Sequence, residues 1–150
     1  MKSAHERREA RISELARRQH SLISRSQLLG IGLSPSGIGN RVVRGRLHPL
    51  QNGVYCLHPG SFSTRQRWMA AVLACGPDSA LCGPSSAVLQ DIADLTGLPP
   101  HVRSPSRTGR DPPGIVVHRG TIDSRDLRIV DGIRCVSADL VLVDLARLER

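Results

Sequence analysis

The stretch SRSQLLGIGLSPSGIGNRVVRGRLHPLQNGVYCL, residues 24–57, holds two signals for the start of a helix and then a signal for a hairpin turn. Ser24 followed three residues later by Gln27 is a capping-box pattern, which predicts a short helix that stops at the following glycines. Ser34 followed by Pro35 is an N-cap residue with proline at the first helical position, and it predicts a second helix. Two short helices joined by a tight glycine-containing turn are typical of a helix-turn-helix.

The second predicted helix, residues 34–44, has one apolar face and one polar, basic face. Ile38 and Val42 lie four residues apart and share the apolar face. In the first helix, Leu28 and Leu29 are both predicted to point inward. The polar face makes residues 34–44 the candidate recognition helix of the pair. The residues predicted on the outward side are Ser36, Gly37, Asn40, Arg41 and Arg44.

A β-hairpin is predicted directly after this helix. Asn52-Gly53 separates the apolar runs 47–50 and 54–57, and Asn-Gly between such runs is a strong signal for a tight hairpin turn. A hairpin that follows a recognition helix has the position of the wing in a winged helix. Arg46 lies near its entry.

An amphipathic helix is predicted from Ser3 to Gln19. Part of its charge is neutralised locally, because Glu14 and Arg18 lie four residues apart. Its apolar face holds Ile12, Leu15 and Ala16, and its arginines are Arg7, Arg8, Arg11, Arg17 and Arg18.

The positive charge of the chain is concentrated in this N-terminal segment. Residues 1–58 carry one lysine and nine arginines against three glutamates, whereas residues 59–150 carry 11 arginines against 10 acids. A localised basic face points to a polyanionic partner, most simply double-stranded DNA. Because the chain has one Trp, one Tyr and one Phe, it lacks the aromatic platforms on which single-stranded nucleic acid stacks.

The second half predicts a small α+β lobe. We expect a fold of the α+β class with two domains, a winged helix-turn-helix over residues 1–60 and this lobe over residues 61–150. The lobe's predicted elements are a helix capped by Ser63 or Thr64 and ending at Gly76, a strand around Leu81, a helix over 85–94, a loop over 104–113, strands over 115–118, 127–130 and 133–136, and a last helix capped by Ser137.

The side chains that could carry catalysis or bind metal are scattered. The six histidines include no H-E-x-x-H pattern, and His118 is interpreted as structural or solvent-facing. The four cysteines occur singly in apolar runs, which predicts small buried hydrophobes. Asp123, Asp126 and Asp131 have no ordered ligand spacing. The sequence therefore predicts no enzyme, no metal and no cofactor.

No segment approaches the roughly 18 apolar residues needed to cross a bilayer. We expect a cytoplasmic protein without a membrane partner. Trp68, in the first helix of the second lobe, is interpreted as a core anchor.

Several segments resemble a known family. RRQHSLISRSQLL (17–29), Leu33-Ser34 and RVVRGRLHPLQNGVYCL (41–57) resemble the N-terminal winged helix of AbiEi-like antitoxins of type IV toxin-antitoxin systems. The second half is similar to the following domain of actinobacterial members, over RWMAAVLACGPDSALC (67–82), IVVHRG (115–120) and DGIRCVSADLVLVDLA (131–146). Many relatives continue into a domain similar to very-short-patch-repair endonucleases. Since this chain stops at Arg150, the resemblance implies no nuclease activity here.

The resemblance implies a sequence-specific regulator that binds inverted repeats in its own promoter and represses it. It also implies a functional link to a nucleotidyltransferase-type toxin, without stable contact. By position, the recognition-helix residues are Ser34, Ser36, Asn40, Arg41 and Arg44, and the wing residues are Arg46 and Asn52.

We expect Asn40, Arg41 and Arg44 to read base edges, since asparagine pairs with adenine and arginine with guanine. Arg17, Arg18, Arg25 and Arg46 are expected to contact the phosphate backbone. Two alternatives remain open at this point: the DNA-targeting part of a truncated or degenerate endonuclease-like protein, and a module that binds a toxin directly.

Overall fold

The computed structural model describes residues 1–105 and 110–148. The chain divides into two compact units, Met1–Ala70 and Ala71–Arg150. Both mix helices and strands, so the predicted α+β class is confirmed.

The first unit is a winged helix, as predicted. Its elements in chain order are α1 (Ala4–Arg18), β1 (Leu22–Ser24), α2 (Arg25–Ile31), α3 (Pro35–Val43), β2 (His48–Gln51) and β3 (Val54–Cys56), followed by the start of α4 (Thr64–Cys75). The strands form an antiparallel sheet in the order β1-β3-β2. β2 and β3 are joined through Asn52-Gly53, which forms the wing.

Side-chain caps set the starts of the helices. The hydroxyls of Ser3 and Ser24 each accept a hydrogen bond from the backbone N–H three residues on, and Glu6 and Gln27 complete the two capping boxes. Ser34 accepts from the Gly37 N–H at 3.0 Å and so caps α3. Helix α2 runs to Ile31, one residue past the predicted stop, and Gly32 ends it with φ of 115°.

The strand β1 was not predicted from the sequence. After α1 the backbone turns through two residues with positive φ, His20 and Ser21, and then enters β1, which is buried throughout. β1 pairs with β3, so that Leu22 lies opposite Cys56. A three-residue strand whose partner lies more than thirty residues away leaves no local pattern in the sequence.

The core of the first unit contains Leu28 but not Leu29. Leu28 is fully buried, whereas Leu29 is 40% exposed, so the prediction that both point inward is wrong. Neighbouring helix positions lie about 100° apart, and only one of them can face the core squarely. The buried cluster consists of Ile12, Ile23, Leu28, Leu33, Ile38 and Leu47.

The second unit is built on a five-stranded mixed sheet. After α4 it contains β4 (Ala80–Leu81), α5 (Gly83–Leu89), β5 (His101–Ser104), β6 (Val116–Arg119), β7 (Leu127–Val130), β8 (Ile133–Val136) and α6 (Ala138–Leu148). The strand order is β6-β5-β4-β8-β7. β4 is parallel to β8 and β5 is parallel to β6, while the other two pairs are antiparallel. Its buried cluster includes Ala80, Cys82, Ala87, Val136 and Val141.

Several predicted boundaries in the second unit are wrong, including the start of α5, which is Gly83 rather than residue 85, and β6, which is shifted by one residue from the predicted 115–118. Helix α5 ends at Leu89 rather than at residue 94, because Asp91 adopts φ of 57° and the Ile92 N–H turns back to the Ala87 carbonyl at 2.8 Å. The predicted loop over 104–113 begins inside β5, which the sequence analysis missed, since Ser104 pairs with Arg119 of β6. Residues 106–109 of that loop lie outside the described residues.

Helix α6 begins where the sequence predicts, but Ser137 does not cap it with its side chain. The Val141 N–H bonds the Ser137 carbonyl at 2.9 Å. The buried Ser137 hydroxyl has no hydrogen-bond partner within residues 1–105 and 110–148.

The cysteines are free thiols, and Cys56, Cys82 and Cys135 are buried as predicted, while Cys75 is half-buried. Burial raises the pKa of Cys75 to about 11 and that of Cys82 to about 12. Trp68 is 8% exposed, which confirms its place in the core. None of the described helices combines the length and apolarity that crossing a bilayer requires.

Candidate nucleic-acid interface

Helix α3 presents a continuous exposed face. Ser36 and Asn40 lie four residues apart, as do Gly39 and Val43, so these residues share one side of the helix, and all four are exposed. The opposite position, Ile38, is 1% exposed and belongs to the core. Side chains of a recognition helix reach base edges only when they lie on such an outward face.

Gly39 and Val43 belong to this face but were not predicted on it, and Val43 is its large apolar side chain. It is 86% exposed, which is unusual for a branched apolar side chain in a helix of a packed unit. The signal was present in the sequence, because Val43 lies three residues after Asn40, and Asn40 was assigned outward. Val42, its neighbour, packs against the core as predicted.

The prediction that Arg41 lies on the outward side of α3 is wrong. Its side chain is 17% exposed, and its guanidinium forms an ion pair with Glu9 of α1, in which Nη1 donates to Oε2 at 3.2 Å. Position 41 follows Ile38 by three residues, so it shares the edge of the inward face with Ile38 rather than with Asn40. Arg41 therefore joins α3 to α1.

The Glu9 carboxylate lies in a positive environment. The hydrogen bond from Arg41 holds the pKa of Glu9 below its usual value, although burial opposes this. The charges of Arg41, His5 and Arg46 lower it further. The structure thus brings Arg41 and Arg46 close to one carboxylate, and Arg46 itself is exposed.

The N-terminus of α3 is organised by its two serines. The Ser34 hydroxyl accepts the Gly37 N–H and lies 3.1 Å from the Ser36 hydroxyl. Gly37 is half-buried rather than outward, and a Cβ there would lie 3.2 Å from the Ser34 Oγ. A Cβ at Gly39 would meet nothing within 4 Å. The middle of the exposed face therefore carries no side chain, and the backbone can approach a surface closely there.

The wing turn lies next to the start of α2. The Arg25 N–H donates to the Gly53 carbonyl at 2.8 Å, so Arg25 and the wing residue Asn52 occupy one region of the unit. Asn52 is exposed and Arg25 is half-buried. Arg44, at the C-cap of α3, is exposed as predicted.

Arg17 and Arg18 share a single acidic partner on α1. Both bind the Glu14 carboxylate, with shortest nitrogen–oxygen distances of 2.9 and 3.1 Å. Their side chains are 73% and 70% exposed. The three residues together keep one net positive charge at this end of α1.

Arg8 has a structural position that the sequence analysis did not assign. Its Nη1 donates to the Gly32 carbonyl at 3.2 Å, so it links α1 to the turn between α2 and α3.

Among the described residues, no group of three His, Cys, Asp or Glu side chains is close enough to share a metal ion.

Comparison with known proteins identifies the winged helix. Residues 10–58 match the family model described as "Transcriptional regulator, AbiEi antitoxin". No curated protein matches the chain. The matched segment runs from the middle of α1 to just past the wing and contains the whole exposed face of α3. Residues 10–58 of this chain are therefore similar to the AbiEi antitoxin family of transcriptional regulators.

Proposed function

We propose that the chain is a sequence-specific DNA-binding regulator that represses its own promoter. The observation that carries this proposal is the exposed face of α3, which lies in a segment with ten cationic and three acidic side chains. The match to a family of transcriptional regulators supports it. A regulator of this kind works in the cytoplasm, where the promoter is.

Base recognition is assigned to the outward face. Asn40 lies on it, and Arg44 is exposed at the C-cap four residues later, which suits bidentate contacts to adenine and guanine in the major groove. Ser36 lies one turn before Asn40 and can bond either base type. Arg41, paired with Glu9, holds α3 at its angle to α1 and is a positioning residue.

Phosphate contacts are assigned to the residues around this face. Arg25 and Asn52 lie together at the wing turn, and Arg46 lies at the entry to the wing. Ser34 keeps its hydroxyl for the α3 cap and contributes the N-terminal backbone of the helix. Arg17 and Arg18 add a weaker, screened attraction, because Glu14 offsets half of their charge.

A binding titration over a range of salt concentrations tests the regulator proposal. The full chain is titrated into a labelled duplex of its own upstream DNA and into a shuffled duplex of the same composition. We expect tighter binding to the upstream duplex and a loss of that preference in Arg44→Ala, with Arg125→Ala in the second unit as the matched control. Equal, steeply salt-dependent binding of both duplexes contradicts sequence reading.

We further propose that the chain acts as an antitoxin, with DNA binding assigned to residues 1–60 and the antitoxin-like role to residues 61–150. The family description supports this second role. Co-expression with a neighbouring nucleotidyltransferase-type toxin gene tests it: the full chain should restore growth, and so should an Arg44→Ala variant that no longer reads DNA. If neither protein restores growth, the antitoxin proposal is wrong and only the regulator proposal stands.

A further inference from the structure

A cavity of about 440 Å³ lies within the second unit, between β5, β6 and α6. It has the size of pockets that hold small organic ligands. Three arginines and one histidine line it, against a single carboxylate. These residues are Arg103 on β5, His118 and Arg119 on β6, and Asp144 and Arg147 on α6.

Arg103 is held in place at the wall of this cavity. Its Nε donates to the Thr121 carbonyl at 3.2 Å, and its Nη1 lies 4.0 Å from the Asp144 carboxylate. A Cβ at Gly120 would come within 2.9 Å of Nη2, so the guanidinium rests directly on the Gly120 backbone. The side chain is 23% exposed. A fixed, partly desolvated guanidinium loses little freedom when it binds an anion.

His118 is held just as firmly. Its ring stacks on His101 with centroids 5.2 Å apart and an interplanar angle of 20°. His118 Nε2 and His101 Nδ1 lie 2.9 Å apart, so one ring donates a hydrogen bond to the other. The fixed ring and the Val117 side chain line the cavity together with its arginines.

The charge of the cavity differs from that of its surroundings. Residues 71–150 carry nine arginines against ten acids, so this unit has no overall positive excess. Inside the cavity the balance is reversed, with three arginines against Asp144. Arg119 also bonds Asp111, and both of those side chains are about half exposed, where an ion pair is weak and readily exchanged.

We propose that this cavity binds a small organic phosphate of nucleotide size. Guanidinium groups bind phosphate oxygens through paired, charge-assisted hydrogen bonds, and Arg103, Arg119 and Arg147 line one cavity. The cavity is much larger than an inorganic phosphate, so the ligand carries an organic body, which the His118 ring and Val117 contact. All the lining residues of this site belong to the second unit.

Calorimetric titration of the full chain with ATP, ADP, AMP, adenosine and inorganic phosphate tests the proposal. We expect the nucleotides to bind and adenosine to give no signal, with inorganic phosphate at least tenfold weaker than the best nucleotide. Absence of heat with every nucleotide up to millimolar concentration, in a titration where the folded chain is verified by circular dichroism, overturns it.

Matched variants locate the site. In Arg119→Gln/Arg147→Gln, nucleotide affinity should fall at least tenfold, whereas the control Arg125→Gln/Arg128→Gln, in the same unit but outside the cavity, should retain it. Thermal melts verify that both variants fold. If affinity falls equally in both, or falls only in an Arg44→Gln/Arg46→Gln variant of the winged helix, the nucleotide is held by general charge and the proposal is wrong.

Discussion

Glu9 of α1 and Arg41 of α3 form an ion pair within the winged helix. This pair holds Arg41 at the inward edge of α3, away from the exposed face of the helix. The two side chains are 33% and 17% exposed. The pair adds a polar link between α1 and α3 to the buried cluster that Ile12 and Ile38 share. The pair therefore helps to orient the face of α3 that carries Asn40 and Val43.

The Glu9–Arg41 pair gives a pH-dependent contribution to stability. Since the pKa of Glu9 is lowered from its usual value of 4.5, the stabilisation is present above that value and is lost as the pH falls through the lowered pKa. We expect Glu9→Gln to cost about 0.5–1 kcal/mol in the free energy of unfolding at pH 7. Urea unfolding of both proteins from pH 7 downward measures the difference.

The difference in unfolding free energy between wild type and Glu9→Gln should become smaller below the usual glutamate pKa. It should vanish at still lower pH, where the wild-type carboxylate is protonated. A gap that stays constant with pH means that Glu9 contributes through packing instead. Glu6→Gln is the matched control. Glu6 pairs with no arginine in the described structure, and its substitution retains the capping box.

Asn40 and Arg46 should affect DNA binding in different ways. Asn40→Ala is expected to cost about 1–3 kcal/mol on the upstream duplex and little on a shuffled one, because it removes a base contact. Arg46→Ala should weaken binding to both duplexes and reduce the salt slope by about 1, because it removes a phosphate contact. Fluorescence anisotropy with the two duplexes at several salt concentrations distinguishes them. Equal losses on both duplexes for both variants contradict the assignment.

The sequence predicted the winged helix well because its signals are local. The capping box of Ser24, the Ser34-Pro35 helix start and the Asn52-Gly53 turn each lie within a few residues, and the structure contains all of them. The hairpin at Asp131-Gly132 is equally local, with both residues at positive φ, and its two strands have the predicted bounds.

The features that the sequence did not predict depend on distant partners. Strand β1 exists through its pairing with β3, and β5 through its pairing with β4 and β6. The inward position of Arg41 depends on Glu9, which lies 32 residues earlier. The stacked pair of His101 and His118 likewise joins two strands that the chain separates by a loop. Periodicity within one segment cannot reveal such contacts.

Two buried serines of the second unit should respond differently to the same substitution. The Ser86 hydroxyl donates to the Val136 carbonyl at 2.9 Å and accepts from Gln90 Nε2 at 2.8 Å. Ser86→Ala therefore breaks a buried network, and we expect it to cost about 1–3 kcal/mol. The buried Ser137 hydroxyl has no partner within the described part of the chain, so Ser137→Ala should change stability by less than about 0.5 kcal/mol or increase it.

Urea unfolding of the two serine variants measures both effects. A loss above 1 kcal/mol in Ser137→Ala would mean that its hydroxyl caps α6 in solution, as the sequence predicts.

The exposed Val43 side chain should contact a thymine methyl group in the major groove. Such contacts are the way in which apolar side chains read a base, and Gly39, with no side chain, lets this part of α3 approach closely. Replacing the contacted thymine of the bound site by deoxyuridine removes only that methyl. We expect a loss of about 0.8 kcal/mol, or about fourfold in affinity, for one buried methyl-sized group.

The same replacement should have no effect on Val43→Ala, because the partner of the methyl group is then absent. This double-mutant cycle distinguishes loss of the methyl contact from a general loss of DNA affinity. Leu29→Ala is the control, because Leu29 is another exposed apolar residue of the unit, and this variant should keep the full deoxyuridine effect. If deoxyuridine at every thymine of the protected site leaves wild-type affinity unchanged while sequence preference persists, Val43 reads no base.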